Sequence, residues 1–207
     1  MSERFLTLPA DRQREILSAA FRVFAGADYA HASMAAIADE ARISKSLLFH
    51  YFTNKRELYL YLWDHAAGLT ARAIRASGAF DTGNLFEILR RTTLAKCGVM
   101  RRFPYLFAFA NRAYYETDPQ VSEDIRASVE RHADAGEASL LSSIDVSCIR
   151  DNFDPAQLYR LFVMTSDGYM LARYREGAVD ADRIQREFLA IIDHWEQVYG
   201  AETKEEP

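Results

Sequence analysis

The sequence is sparing with the residues that break helices. Its 207 residues include 9 glycines and 5 prolines, and it carries no Asn-Gly or Asp-Gly hairpin signal. That argues against a chain built on β-hairpins. Cysteine is scarcer still: Cys97 and Cys148 stand far apart and outside any CxxC. This argues against a disulfide scaffold or a zinc cluster, and a reducing compartment fits. No long uncharged apolar run is present, and the N-terminus has no apolar leader. The chain therefore reads as cytoplasmic, with no membrane partner. An excess of positive charge is also missing. Lys and Arg total 25 against 30 Asp and Glu, a formal net charge of −5. A uniformly basic nucleic-acid binder is excluded, but a local basic patch is not.

Catalytic signatures are absent too. The sequence has no HExxH, no ExxH pair, no GxGxxG and no GxSxG. Asp64-His65 and Asp193-His194 are sequence neighbours. On a helix such neighbours point roughly 100° apart, so they do not converge on a substrate. An enzyme is not expected, nor a metal, nor a cofactor.

What is present is apolar periodicity. Hydrophobic residues make up 49% and charged residues 27%, the balance of a soluble globular chain with a sizeable core. Aromatics are dense, with 13 Phe and 11 Tyr. Apolar residues recur at three and four rather than at two, so the fold is expected to be all-α. The periodicity places about nine helices, near 9–25, 33–41, 45–52, 55–77, 84–101, 104–116, 119–142, 155–176 and 180–199. Pro9, Pro104, Pro119 and Pro155 suit first turns, and Ser33 and Asn54 suit N-caps. The charged tail "AETKEEP" is expected to fray.

Two of these helices are short. Met34, Ile37, Ala38 and Ala41 form one apolar stripe, and only Arg42, Ile43 and Ser44 precede the next helix. That is helix-turn-helix spacing. In the second of the pair, Leu48 and Phe52 point one way with Tyr51 beside them. Ser46 and His50 then lie on the opposite pole, flanked by Leu47 and Phe49, with Lys45 at the start. Leu47 and Phe49 are poor choices for a plain solvent face. Small polar, apolar and cationic groups together suit a major groove, with base edges, thymine methyls and phosphates to meet. Lys55, at the start of a long helix, is placed for a phosphate contact.

"SMAAIADEARISKSLLFHYFTNKREL" resembles the DNA-binding signature of the tetracycline-repressor (TetR) family of transcriptional regulators. The resemblance rests on Ser33, Ile37-Ala38, Ala41-Arg42-Ile43-Ser44, Lys45, Leu48 to Phe52, and Lys55 with Leu58. It spans about residues 10 to 62. It implies an N-terminal three-helix helix-turn-helix DNA-binding domain, residues 1–55. The fourth helix, about 55–77, links it to a C-terminal helical effector-binding and dimerisation domain, residues 56–207. It further implies a ligand-responsive repressor that binds a near-palindromic operator of double-stranded DNA as a homodimer. Ser33, Tyr51 and Lys55 are expected on the phosphate backbone, and Lys45, Ser46, Leu47, Phe49 and His50 toward bases and adjacent sugars. Arg42 departs from the family's usual turn glycine, and Phe49 from a tyrosine. A helical protein–protein module that has lost specific DNA binding stays open as an alternative on those two departures.

The second domain is expected to take a small hydrophobic or amphipathic effector. Phe86, Leu89, Phe107, Asn111, Tyr114, Met164 and Tyr169 are the candidate lining, with Asn111 the polar residue in a nearly all-apolar helix. Leu161, Gly168, Phe188, Ile192 and Trp195 on the last two helices are the candidate dimer face.

Overall fold

The computed structural model describes residues 3–176 and 180–201, leaving aside the side chains of Glu3 and Tyr174. The expectation of a frayed tail falls on residues outside these, past Ala201. Ten α-helices run in order through the described residues: α1 Glu3–Leu6, α2 Ala10–Gly26, α3 Met34–Glu40, α4 Lys45–Tyr51, α5 Lys55–Ala76, α6 Leu85–Arg102, α7 Pro104–Tyr114, α8 Ser122–Ser143, α9 Pro155–Glu176 and α10 Ala181–Tyr199. Short 3-10 turns cover Ala79–Asp81 and Val146–Cys148. Among the described residues there is no strand, only a single bridge between Ile149 and Gly200. The all-α expectation holds. The one helix that periodicity could not find is α1, which is four residues long.

Helix starts follow from local side-chain chemistry. The backbone N–H of Ala36 donates to Ser33 Oγ at 3.1 Å, and that of Leu47 to Ser44 Oγ at 3.1 Å. At α5 the Glu57 N–H donates to Asn54 Oδ1 at 2.8 Å, and Thr53 N–H donates back to Glu57 Oε2 at 2.6 Å. This is a reciprocal capping arrangement one residue offset from the usual pair. Asp180 accepts from Asp182 and Arg183 at the start of α10.

The chain divides into two compact units. The first takes Met1–Leu69 together with Phe103–Glu130. Its core is aromatic: the Tyr59 ring lies 4.9 Å from Phe24, 5.1 Å from Tyr29 and 5.0 Å from Phe109, each pair edge to face. These rings are almost fully buried, the geometry aromatic pairs prefer. Polar ties hold α7 and the start of α8 to the same body. Arg112 Nε donates to the Ala25 carbonyl at 3.2 Å, Tyr29 N–H to Glu116 at 2.9 Å, and Trp63 Nε1 to Ser128 Oγ at 2.9 Å.

The second unit takes Thr70–Arg102 together with Arg131–Pro207. Here α6 packs along α10. Arg90 reaches from α6 to Asp193 at 2.8 Å and to Glu196, and Arg101 to Asp182 at 2.7 Å. An aromatic seam joins α9 to α10, with Tyr169 4.8 Å and Phe162 6.0 Å from Phe188, and Trp195 6.0 Å from Phe162. Gly136 lets α8 approach α9 closely: a Cβ there would stand 2.9 Å from the Tyr159 hydroxyl, which would have to shift.

Candidate nucleic-acid interface

The turn between α3 and α4 is fixed by backbone geometry. Ile43 N–H donates to the Ala38 carbonyl at 3.0 Å and Arg42 N–H to Asp39 at 3.1 Å. These are the two bonds of a Schellman motif, and its C′ residue, Arg42, has φ 52°. The position is left-handed, the conformation that favours glycine. Arg42 is the one non-glycine with positive φ among the described residues. Its side chain is exposed beside the turn.

This turn delivers α4 with one face down and one face out. Leu48 and Phe52 are fully buried, and Tyr51 is nearly so. Lys45, Ser46, Phe49 and His50 are exposed, and Leu47 is half-buried. The division follows the helical spacing expected for a recognition helix. Ser44 and Ser46 hydroxyls lie 3.0 Å apart. The Lys45 ammonium sits 5.9 Å from the Phe49 ring centroid, within cation–π range. Ser33 is exposed at the start of α3, its hydroxyl oxygen already accepting from Ala36.

Two of the expected backbone-holding residues are engaged within the protein. The Tyr51 ring lies 5.8 Å from Phe5 and 5.9 Å from His50, inside the packing under α4. The Lys55 ammonium donates to three carbonyl oxygens of the α2–α3 loop: Tyr29 at 2.6 Å, Ala32 at 3.0 Å and Ala30 at 3.3 Å. It also lies 4.4 Å from the Tyr29 ring centroid. Three donors are all an ammonium has, so Lys55 is saturated where it stands. Arg56 likewise turns to α8, donating to Gln120 O at 2.7 Å and pairing with Asp124 at 2.6 Å.

One contributor was not foreseen. Arg4 on α1 lies beside the exposed His50, its Nη1 2.8 Å from Nε2 and 3.2 Å from Nδ1. Phe5, the next residue, is completely buried against Tyr51, Phe52 and Tyr61. The sequence signal was a lone Arg-Phe pair before the first long helix, too short for any periodicity to register.

The candidate effector residues fall in both units. Phe107, Asn111 and Tyr114 belong to the first, and Phe86, Leu89, Met164 and Tyr169 to the second. Phe86 and Leu89 are buried, whereas Met164 is 70% exposed. Tyr169 donates its hydroxyl proton to Glu187. Asn111 is buried, and its Nδ2 has no protein acceptor in reach. The candidate dimer residues also divide. Leu161 and Gly168 are exposed on α9, while Phe188 and Ile192 are buried within the chain and Trp195 is half-buried. Asp193 of the Asp-His neighbours pairs with Arg90, and His65 packs 6.3 Å from Phe21 and 6.0 Å from Tyr61. Among the described residues no group of three or more His, Cys, Asp or Glu is placed to hold a metal ion.

Two short helices joined by a tight turn, the second presenting a mixed polar, apolar and cationic face, form a helix-turn-helix motif. Residues 16–62 match the bacterial regulatory proteins of the tetR family. The match lies within the stretch whose sequence signature resembles that family. It is 30% identical over 129 residues to the HTH-type transcriptional activator FasR of Mycolicibacterium smegmatis, a stretch covering 62% of this chain and 58% of that protein. The chain thus spans less than two thirds of that relative's length. Its fold is that of a TetR-like transcriptional regulator from Rhodococcus sp. RHA1, with TM-score 0.67, 23% identity, and 92% and 98% of the two chains covered. It is also similar to the transcriptional regulator FadR of Bacillus subtilis in complex with stearoyl-CoA, with TM-score 0.68, 14% identity, and 86% and 96% covered. No helix among the described residues is long and apolar enough to cross a membrane.

Proposed function

We propose that the chain is a ligand-responsive transcriptional repressor that binds a near-palindromic operator as a homodimer. The observation that carries the reading is α4: Lys45, Ser46, Leu47, Phe49 and His50 face outward from a helix whose other side is wedged into the core. Ser33 and Arg42 flank that face and supply contacts to the phosphate backbone. Tyr51 and Lys55 act by holding α4 and the α2–α3 loop in place, with the phosphate role of Lys55 requiring it to leave carbonyl partners it already has. Two copies would set their α4 helices in successive major grooves, roughly 34–36 Å apart.

The effector is proposed to be an amphipathic molecule with an acyl chain. Support comes from the aromatic and aliphatic content of both units and from the FadR relative, whose complex holds stearoyl-CoA. The effector must bind better to the state that does not hold DNA, since only differential affinity shifts the equilibrium. The FasR relative is an activator, so the sign of regulation is itself part of the test.

The test is fluorescence anisotropy with DNA chosen by in vitro selection, followed by transcription in vitro from the selected site. The expected result is specific binding to a two-fold sequence with a steep salt slope, repression of transcription, and release by a long-chain acyl thioester. Binding no stronger to any selected sequence than to random DNA would overturn the regulator reading in favour of a protein–protein module. Stimulated transcription would overturn the repressor assignment alone.

A further inference from the structure

The loop between α2 and α3 is held from two sides, and the two holds meet at Tyr29. Its N–H donates to Glu116 Oε2 at 2.9 Å, and its carbonyl accepts from the Lys55 ammonium at 2.6 Å. One residue's backbone is thus gripped by an anion at its donor and by a cation at its acceptor. The Tyr29 ring is 2% exposed and lies 5.1 Å from Tyr59, so the residue has a fixed seat. Glu116 is fixed as well. Its Oε1 accepts from the N–H of Thr117 at 2.8 Å and of Asp118 at 3.0 Å, and its own N–H donates to Ala113 O, on α7, at 3.2 Å. About one turn earlier, Arg112 Nε donates to the Ala25 carbonyl in the last turn of α2 at 3.2 Å. The end of α7 therefore holds both the loop and the helix that leads into it. Four residues after Tyr29, Ser33 caps α3. All of these residues lie in the first unit.

We propose that Glu116 is a positioning residue of the helix-turn-helix: it couples α7 to α3 and α4 through the Tyr29 backbone, so that whatever moves α7 acts on DNA binding at this point. The inference rests on the ligand-responsive reading and deepens it by naming the route. Lys55 follows the end of α4 by four residues, so its hold on the loop moves with the recognition helix. The Glu116 hold moves with α7 instead. Asn111, whose buried Nδ2 has no protein acceptor, lies on α7 little more than one turn before Glu116. A ligand group that engages that amide displaces the same short rod that carries Glu116. A contact stops being a hydrogen bond beyond roughly 3.5 Å, so from 2.9 Å a displacement of about 0.6 Å decides whether the Tyr29 N–H is held. Once released, that N–H needs another acceptor, because a buried backbone donor is not left unpaired. The loop must rearrange to give it one, and the start of α3 moves with the loop.

The experiment is hydrogen exchange read by mass spectrometry on the full chain, free and bound to the DNA site obtained by in vitro selection, for the wild type, Glu116→Ala and Glu116→Gln. Coupling is reciprocal, so a route from α7 to the DNA-binding face also carries the effect of DNA back to α7. In the wild type, DNA is expected to slow exchange in α7 peptides about fivefold or more, besides slowing it in α4 and the α2–α3 loop. Glu116→Ala should abolish the slowing in α7 and keep it in α4. Glu116→Gln retains an uncharged acceptor and should keep about half of the α7 effect on a logarithmic scale. A merely structural Glu116 would, when replaced, speed exchange of α7 in free and bound protein alike and leave the difference between them intact; that result overturns the proposal. Far-UV circular dichroism checks folding. Should Glu116→Ala lose its helicity, Glu116→Gln decides alone, and an undiminished α7 effect there overturns the proposal. A wild type whose α7 exchange is unchanged by bound DNA does so too. A wild type that binds no selected DNA more tightly than random DNA overturns the DNA-binding reading, and the proposal with it.

Discussion

The Lys55 ammonium lies 2.6 Å from the carbonyl oxygen of Tyr29, 26 residues earlier in the chain. With the carbonyls of Ala30 and Ala32 it closes the α2–α3 loop onto the start of α5. Hydrogen bonds to a charged group are worth roughly 1.5–3 kcal/mol net. Lys55→Met keeps the aliphatic stem and removes the donors, so it isolates them. The first unit is expected to lose about 2 kcal/mol, read as a lower midpoint in urea unfolding. The slope of log K against log salt for DNA binding should stay as in the wild type. A fall of about one in that slope would instead assign Lys55 to phosphate.

Arg42 supplies the opposite sign. Its φ of 52° places a side chain where a glycine is relaxed, at a cost of about 1 kcal/mol. Arg42→Gly should therefore raise the melting temperature by about 2–4 °C for a chain of this size. The same change removes an exposed cation from the flank of α4. The salt slope of DNA binding is expected to fall by about one. Stability and affinity would then move in opposite directions in one variant. A melting temperature that falls would show that the Arg42 side chain contributes more to the turn than its strain costs.

These two residues also mark what the sequence could and could not reveal. Helix positions were legible because their causes are local: Ser33, Ser44 and Asn54 each accept from a backbone N–H three residues on. The faces of α4 were legible from spacing alone. The left-handed turn was legible as a question, since the residue at C′ was visible but its φ was not. Lys55 and Arg4 were not legible in the same sense. Their partners lie 23 to 26 and 46 residues away, and no local pattern encodes them. Nor could a stripe such as Phe188, Ile192 and Trp195 say what covers it, because burial inside the chain and burial against a second copy write the same periodicity.

That ambiguity separates the α9 and α10 residues into two experimental groups. Leu161 and Met164 are 46% and 70% exposed, and with Gly168 they share one face of α9. Ile192 is 0% exposed. Leu161→Arg/Met164→Arg should convert a dimer to a folded monomer in sedimentation equilibrium, with helicity unchanged. Ile192→Ala should instead destabilise the chain by about 2–5 kcal/mol, as a cavity in a core does. Wild-type protein that sediments as a monomer would remove the homodimer from the proposed function.

Tyr169 makes a pH prediction. Burial, and then the hydrogen bond to the Glu187 carboxylate, raise its pKa from 10 to about 12. The neutral phenol is the form the fold favours. Its contribution to stability is complete below pH 10 and is lost as pH rises through about 12. Between those limits the wild type should lose stability relative to Tyr169→Phe, which has no phenol to ionise. Denaturation midpoints of the two proteins at pH 9 and pH 11.5 would check this. An equal gap at both values would mean that Tyr169 titrates as an ordinary tyrosine.

Asn111 is the polar residue that an apolar helix has no structural reason to keep. It lies on α7, 9% exposed, among Leu106, Phe109 and Ala113, which are buried on the same helix. Its Nδ2 finds no protein acceptor, and a buried donor left unpaired costs about 1–3 kcal/mol. Replacement by an apolar side chain of similar size removes that cost and adds apolar burial. Asn111→Leu is therefore expected to raise the melting temperature. If the amide is kept because it meets the effector, the same variant should bind operator DNA normally but no longer release it when the acyl thioester is added. A polar group that weakens the fold and strengthens a response is the usual mark of a binding residue. A variant that is less stable, and still responds to the ligand, would show that the Asn111 amide serves the packing of the first unit instead.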